Sequence, residues 1–197
     1  MIDKNSLKQL YWKKNKSMQE IANELGFSLH KVAYWMGKHE IRSRTRSEAT
    51  YVKNHPEGDP FKIKTRLNLK ETELLGLGMG LYWGEGHRRN QNSIRLGNTD
   101  PSLVSAFIKF LVRVCGVKRQ DIGFHLMVFG DTDTNEAKNL WVKKLNIEPG
   151  QIKGKITILK SRGKGSYRHK SENGVIILQY NNKKLRDYII DTIEKIK

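Results

Sequence analysis

Apolar positions in residues 1–46 recur at the three- and four-residue spacing of helices, which predicts a small all-helical unit. Ser17 and Glu20 form a capping box that begins one helix, and Gly26 ends it. Another helix begins near Ser28, and an earlier one precedes Ser17. The apolar residues that define the three helices are Leu7, Leu10, Tyr11, Ile21, Ala22, Leu25, Val32, Trp35 and Met36.

The second and third helices together resemble a helix-turn-helix, because Ala22 is small where the helices cross and Gly26 lies in the turn. In such a motif the exposed face of the later helix enters the major groove of DNA. The residues expected to contact DNA are His30, Lys31, Tyr34 and Lys38 on that face, and Arg42 and Arg44 in the basic segment after it. A helical hairpin with no role in DNA binding is the alternative.

Residues 47–67 are expected to be a linker, because proline, glycine and acidic residues cluster in their middle, between two periodic segments. A helical pattern resumes after the capping pair Asn68 and Glu71. The chain is therefore predicted to hold a helical domain at 1–46 and a second domain at 68–197.

The second domain alternates between helical and strand patterns, which predicts an α+β fold. Strands at 87–90 and 93–98 are expected to pair across a turn at 90–92, with Arg95 on the face opposite Ile94. A two-stranded ribbon fits the major groove, so the expected DNA contacts here are His87, Arg89 and Arg95. The later elements are a helix from Asp100, a strand at 123–129, a helix at 135–145, strands at 152–159 and 175–180, and a helix from Lys183.

The strand expected at 152–159 alternates between basic and apolar residues. Lys153 and Lys155 are predicted to form a basic face that meets phosphates, and Ile156 and Ile158 a buried face. The loop that follows is rich in cations and glycine, as suits an arm along DNA, and its expected contacts are Arg162, Lys164 and Arg168. A solvated hairpin tip is the alternative for this loop.

Composition points to a polyanionic partner. The 197-residue chain carries 37 Lys and Arg against 20 Asp and Glu, a formal net charge of +17. Such self-repulsion is typical of nucleic-acid-binding proteins. A ribosome-associated protein or a generally lysine-rich composition would be the alternative explanations, whereas a membrane surface is disfavoured because no basic amphipathic helix stands apart from the fold.

Other classes of protein and site are disfavoured. No apolar run is long enough for a membrane helix and no signal peptide is recognisable, so a soluble cytoplasmic protein is expected. The lone Cys115 is expected to be a buried thiol, and zinc is disfavoured because the six His residues are scattered. GLGMG lies inside a helical pattern and GKGS lacks the spacing of a phosphate loop, so no small-molecule cofactor is expected.

The first helix of the second domain carries Gly76, Gly80 and Gly84 at four-residue spacing, on one stripe. Each interior glycine costs roughly 1 kcal/mol relative to alanine, so three on one stripe indicate that another backbone packs closely there. Glu85 and Gly86 follow at the end of this helix.

These residues resemble the motif of the LAGLIDADG homing endonucleases. The nine residues from Gly78 to Gly86 align with the nine-residue motif. Gly80, Leu81 and Gly86 are identical to it, Gly84 replaces its alanine, and Glu85 stands at its acidic position. The loosely matched span covers about residues 68–197, and its expected helix-strand-strand-helix order is the order of the family.

The resemblance implies an αββα core with an antiparallel saddle sheet, and a dimer interface formed by Gly76, Gly80 and Gly84. Packing two such helices would bring one Glu85 from each to the scissile phosphates, where carboxylates hold Mg²⁺ or Mn²⁺. The chain has one such motif, so a homodimer is implied, because both strands of a duplex need a site. A monomer with a degenerate second half is the alternative.

By position in the family pattern, Asn98 assists around the metal and the water. A later lysine does the same, and Lys160 and Lys170 are the candidates for it. The implied catalytic set is thus Glu85, which is also the metal ligand, with Asn98 and Lys160.

The chain is therefore expected to be a sequence-specific, metal-dependent endonuclease that cuts double-stranded DNA. The alternative is a transcription regulator with a catalytically inactive core, in which Glu85 is merely a solvated residue at a helix end. Because a carboxylate opposes the dipole at a helix C-terminus, its presence there favours the enzyme.

Overall fold

The computed structural model describes residues 1–159 and 173–196. The chain folds into two compact units, Met1–Pro60 and Phe61–Lys197, which are described separately. The first is helical and the second combines helices with a sheet, so the expected α+β class is confirmed.

The first unit consists of short helices around a small core. They are α1 (Lys4–Lys8), which continues as a π-helical turn (Gln9–Lys13), α2 (Met18–Leu25), α3 (Leu29–Lys38) and α4 (Arg46–Asn54). The buried core residues are Ile2, Leu7, Leu10, Tyr11, Ile21, Ala22, Val32, Met36 and Ile41. The apolar spacing read from the sequence therefore identified this core, apart from Ile2 and Ile41.

Local caps fix the ends of α2 and α3 as expected. The Ser17 hydroxyl accepts a hydrogen bond from the Glu20 N–H at 3.2 Å, and the Ser17 N–H donates to the Glu20 carboxylate at 2.7 Å. Gly26 ends α2 in the left-handed conformation, with φ +66°. The Ser28 hydroxyl then caps α3 by accepting from the Lys31 N–H. Because residues close in sequence satisfy the hydrogen-bonding groups at these helix ends, the two boundaries can be predicted from the sequence.

The interval 47–67, expected to be a linker, is structured at both ends. A second capping box joins Thr45 and Glu48 and begins α4. At the other end, Lys62 N–H donates to the Cys115 carbonyl at 3.0 Å and Lys64 N–H to the Val114 carbonyl at 2.9 Å. The apolar residues there, which pack against the core of the second unit, are Phe61, Ile63 and Leu67. The breaker-rich centre remains the boundary between the units.

The second unit begins with the long helix α5 (Leu69–Glu85) and contains a four-stranded sheet. The elements after α5 are β1 (Ile94–Asn98), α6 (Pro101–Arg113), β2 (Gly123–Phe129), α7 (Thr134–Leu145), β3 (Thr157–Leu159), β4 (Val175–Tyr180) and α8 (Lys183–Ile196). The strand order is β1-β4-β2-β3.

The sheet is mixed, which corrects the expected antiparallel sheet. β4 pairs antiparallel with both β1 and β2, whereas β3 pairs parallel with β2. The connection between β2 and β3 passes through α7, and such a helical crossover returns the chain in its original direction.

One face of the sheet is covered by helices. Ile94, Leu96, Phe124, Leu126, Val128, Ile176, Leu178 and Tyr180 are buried there with residues of α5, α6, α7 and α8. Cys115 lies in this core as expected, and burial raises the pKa of its thiol to about 12. The opposite face, here called the open sheet face, carries the alternate residues: Arg95, Gly97, Gly123, His125, Met127, Phe129, Thr157, Leu159, Val175, Ile177 and Gln179. Of these, none belongs to the core that the described residues form.

Two expected strands differ from the structure. Residues 87–90 do not form a strand. The chain pairs with β1 only through a bridge between Gly86 and Leu96 and a hydrogen bond from the His87 N–H to the Arg95 carbonyl, and it then leaves β1. The partner of β1 is instead β4. The strand expected at 152–159 shortens to β3, and Ile158 is 61% exposed at this sheet edge, so its predicted burial is wrong.

Candidate nucleic-acid interface and carboxylate site

The outward face of α3 presents the four residues expected to read DNA. Val32 and Met36 are buried against the unit, and His30, Lys31, Tyr34 and Lys38 are all exposed on the rest of the helix. The Lys31 ammonium lies 3.9 Å from the centroid of the Phe27 ring, which holds it beside the turn. Tyr34 is 56% exposed and offers an aromatic ring and a hydroxyl at the centre of this face.

The two arginines after α3 are engaged by the protein itself. Arg42 donates to both carboxylate oxygens of Glu48, at 3.0 and 2.7 Å, and this pairing lowers the pKa of Glu48 to about 2. Arg44 turns inward, donating to the Tyr11, Asn15 and Lys16 carbonyls. Its main role in the structure is therefore to tie the chain after α3 to the first helices, which does not favour a phosphate contact.

A largely basic depression in the first unit was not predicted from the sequence. A cavity of about 640 Å³ adjoins the start of α2, and its lining includes Lys14, Lys16 and Lys53 together with the acidic Glu20. Folding brings Lys53 of α4 to the segment that holds Lys14 and Lys16, so no local spacing marked the three together. Charge of this kind suits phosphate contacts.

The glycines expected at the dimer interface lie on a stripe of α5 that the described residues leave uncovered. An added Cβ at Gly76, Gly80 or Gly84 would meet no atom of residues 1–159 or 173–196 within 4 Å. The large apolar residues exposed on the same helix are Leu69 (76%), Leu77 (49%) and Trp83 (43%). α5 thus has apolar residues around its whole circumference, as is typical of a helix that is covered on all sides.

A different glycine makes the close contact within this unit. A Cβ on Gly78 would lie 2.2 Å from Cγ of the fully buried Phe110, so α5 can approach α6 only with glycine there. At the end of the helix, a Cβ on Gly86 would lie 2.3 Å from the Tyr82 carbonyl oxygen. Neither contact was predicted, since helical spacing alone does not show which neighbour each stripe meets.

Glu85 is the last residue of α5 and is exposed. The bridge between Gly86 and Leu96 places it beside β1, and the following His87 is also exposed. Asn98 lies two residues beyond Leu96, and its amide oxygen accepts from the Asp100 N–H at 2.8 Å in the turn before α6. The structure therefore brings Glu85 and β1 together, while Asn98 is engaged in a turn.

The polar end of the open sheet face collects side chains from separate strands. Arg95, Gln179 and Gly123 form one row across β1, β4 and β2. His125 lies on β2 in the adjacent row of the sheet, and its ring nitrogen lies 2.8 Å from the Thr157 hydroxyl. A depression of about 200 Å³ lies among Gly123, His125, Gln179 and Lys153, the last of which was expected to contact DNA.

Arg95 and Lys153 were expected as DNA contacts, but His125 and Gln179 were missed. In the sequence each stands in an apolar run, and their common position follows only from the strand register. Lys155 and Arg89 are exposed, as a DNA contact requires. The predicted Lys160, Arg162, Lys164 and Arg168, and the candidate Lys170, lie outside the described residues.

Glu85 is suited to a divalent cation, because an exposed carboxylate is a hard oxygen ligand with room for further ligands. Within the described residues, no three His, Cys, Asp or Glu side chains form a metal-binding group. No helix in the same part of the chain is long and apolar enough to cross a membrane.

Comparisons with protein-family models, with curated proteins and with solved structures found no match to this chain.

Proposed function

We propose that the protein is a LAGLIDADG-type homing endonuclease that binds double-stranded DNA through a helix-turn-helix and cuts it as a homodimer. The observation that carries the proposal is the end of α5, where a helix whose glycine stripe the described residues leave uncovered terminates in an exposed carboxylate. The glycines would bring two copies of α5 together, and the same packing would bring two Glu85 side chains to one duplex.

The first unit supports the DNA-binding part of the proposal. α2 and α3 are joined at Gly26 and share a core, with the polar side chains of α3 facing outward. A helix with this arrangement can enter the major groove, where Lys38 and His30 would meet base edges or phosphates. The basic depression beside α2 would meet the DNA backbone.

The second unit supports a second DNA-binding surface. The open sheet face carries Arg95, His125 and Gln179 at its polar end, and Lys153 lines the same depression as His125 and Gln179. Arginine pairs well with guanine, and glutamine with adenine, in the major groove. Strands can present such side chains to a groove.

Glu85 would hold Mg²⁺ or Mn²⁺ through its carboxylate oxygens. A bound cation of this kind activates water and neutralises charge that develops on the leaving oxygen. The chain's own contribution is to place the carboxylate at the dimer axis and to orient the scissile strand through Arg95 and the exposed His87. Asn98 and Lys160 remain proposed assistants.

The proposal is tested by incubating the full-length protein with a random DNA library and Mg²⁺, then sequencing the cleaved molecules. We expect one enriched family of sites, cut on both strands, and no products in chelator. The rival function, a transcription regulator, predicts sequence-specific retention on DNA with and without chelator and no cleavage at any Mg²⁺ concentration. That result would exclude the endonuclease.

DNA affinity is expected to fall steeply with salt. The net charge of +17 and the basic surfaces imply several phosphate contacts, and each neutralised phosphate releases counterion. With about six contacts, affinity should drop about a thousandfold between about 50 and 200 mM salt. Fluorescence anisotropy on a labelled duplex measures the slope, and a slope near zero would exclude both DNA-binding functions.

A further inference from the structure

The segment that follows Glu85 contacts α5, β1 and α8. Gly86 lies against Tyr82, and the His87 N–H donates to the Arg95 carbonyl at 2.9 Å. One residue further, the Arg88 carbonyl accepts from a terminal nitrogen of Arg186 at 2.8 Å. This last bond joins α8 to the turn after α5, across 98 residues of sequence.

Arg186 is itself firmly placed. Its side chain is only 14% exposed and also donates to Asp187 at 3.0 Å. Asp187 accepts in addition from Lys183 at 2.6 Å. Although burial raises the pKa of Asp187, the bonds from Lys183 and Arg186 outweigh this and leave the pKa lowered. The carboxylate is therefore charged and anchors the guanidinium at neutral pH.

Two buried polar atoms lie in this cluster without a well-formed hydrogen bond in the described part of the chain. They are the Tyr82 hydroxyl and Arg186 Nε. Burial raises the pKa of Tyr82, while the nearby Arg186 acts in the opposite direction. The guanidinium therefore lies near Tyr82, three residues before Glu85, and against the Arg88 carbonyl, three residues after Glu85.

We propose that Arg186 is a positioning residue, which fixes the turn at Gly86–Arg88 through the Arg88 carbonyl and so sets the orientation in which Glu85 meets a divalent cation. The inference rests on the proposed function of Glu85. Residues that orient a metal ligand without touching the metal typically change metal affinity or activity about ten- to a hundredfold when replaced. Arg186 stands in that relation to Glu85.

The test compares the full-length protein with Arg186→Gln, Arg186→Lys and the control Lys195→Gln, which removes a charge from the exposed far end of the same helix. We expect Arg186→Gln to raise the Mg²⁺ concentration for half-maximal cleavage about tenfold or more. Arg186→Lys should restore part of the loss, and DNA affinity should match that of Lys195→Gln. A half-maximal Mg²⁺ concentration unchanged in Arg186→Gln would overturn the inference.

A second measurement needs neither metal nor DNA. Hydrogen exchange followed by NMR should show the His87 amide exchanging at least about tenfold faster in Arg186→Gln than in the wild type or Lys195→Gln. Unchanged exchange would overturn the inference whatever the chain does to DNA. A wild-type chain with no nuclease activity, by contrast, would remove the proposed function itself, and the catalytic meaning of Arg186 with it.

Arg186→Met separates positioning from stability, because it removes the buried Nε while keeping an apolar stem. We expect a lower unfolding midpoint, because the bonds to Asp187 and to the Arg88 carbonyl are lost, together with the same rise in half-maximal Mg²⁺ as in Arg186→Gln when both variants are assayed under conditions in which they are fully folded. A half-maximal Mg²⁺ concentration that equals the wild-type value in the folded Arg186→Met protein would show a purely structural role and overturn the inference.

Discussion

Glu85→Gln is expected to abolish DNA cleavage while leaving DNA binding intact. The amide keeps the shape of the side chain but lacks the charge that would hold a cation against phosphate. Electrostatic stabilisation by a metal supplies several kcal/mol in such reactions, so the rate should fall by about three orders of magnitude or more. Affinity should persist or rise, because a negative charge facing the DNA backbone is removed. Cleavage of supercoiled and linear targets with Mg²⁺ or Mn²⁺ measures the first effect, and anisotropy the second.

The exposed position of Glu85 makes this variant informative, since the described residues do not bury the carboxylate. Asp191→Asn provides the matched control, because it also converts an exposed acid of the same unit to its amide. Its cleavage rate should equal that of the wild type. If the wild type cuts and Glu85→Gln cuts equally fast, the active site lies elsewhere and the resemblance at the end of α5 has no catalytic meaning.

Features that depend on neighbouring residues were predictable from the sequence. The Ser17 cap, the turn at Gly26 and the start of α5 after Asn68 all satisfy backbone groups within a few residues, and each was found where expected. The core positions of α2 and α3 followed as well, because their period defines which face is buried.

Features that depend on distant pairing were not predictable in the same way. β1 pairs with β4, about 80 residues later, rather than with the segment just before it, and no local pattern distinguishes the two partners. The grouping of His125 and Gln179 follows from that register. The exposure of Ile158 reflects a strand three residues long at the sheet edge, which alternation alone does not reveal.

The residues of the candidate site also differ in whether neighbouring sequence or distant contacts reveal them. Glu85 could be proposed from the sequence because its motif is contiguous, whereas the contact of Arg186 with the Arg88 carbonyl, three residues after Glu85, is created only in the folded chain. Arg44 shows the converse: its sequence context is that of a phosphate-binding residue, and its carbonyl contacts appear only when the helices pack. Basic residues in a cationic chain are thus weak evidence individually.

The glycines of α5 are expected to respond oppositely to one substitution. Gly78→Ala should destabilise the fold, because its Cβ would overlap the buried Phe110 ring at 2.2 Å. Overpacking typically costs about 1–3 kcal/mol, and the gain in helix propensity returns roughly 1 kcal/mol at most, so the clash wins. Gly80→Ala places its Cβ where none of the described residues lies within 4 Å, and so it gains propensity alone. Urea unfolding at low protein concentration, where any dimer is dissociated, measures both.

Gly80→Leu tests whether the glycine stripe of α5 forms the interface of the proposed homodimer. Among the described residues nothing lies within 4 Å of a Cβ at this position, so the larger side chain is expected to be tolerated in one chain, but between two copies of α5 it would hold the backbones apart. Sedimentation should therefore show a dimer for the wild type and a folded monomer for Gly80→Leu, whereas Gly78→Ala should lose stability first. A dimer that survives Gly80→Leu would place the interface elsewhere. A wild-type monomer that cuts both strands would mean that the second half of the chain supplies the second active site. The exposure of the glycines, Leu77 and Trp83 on α5 would then have to be explained by something other than a homodimer interface.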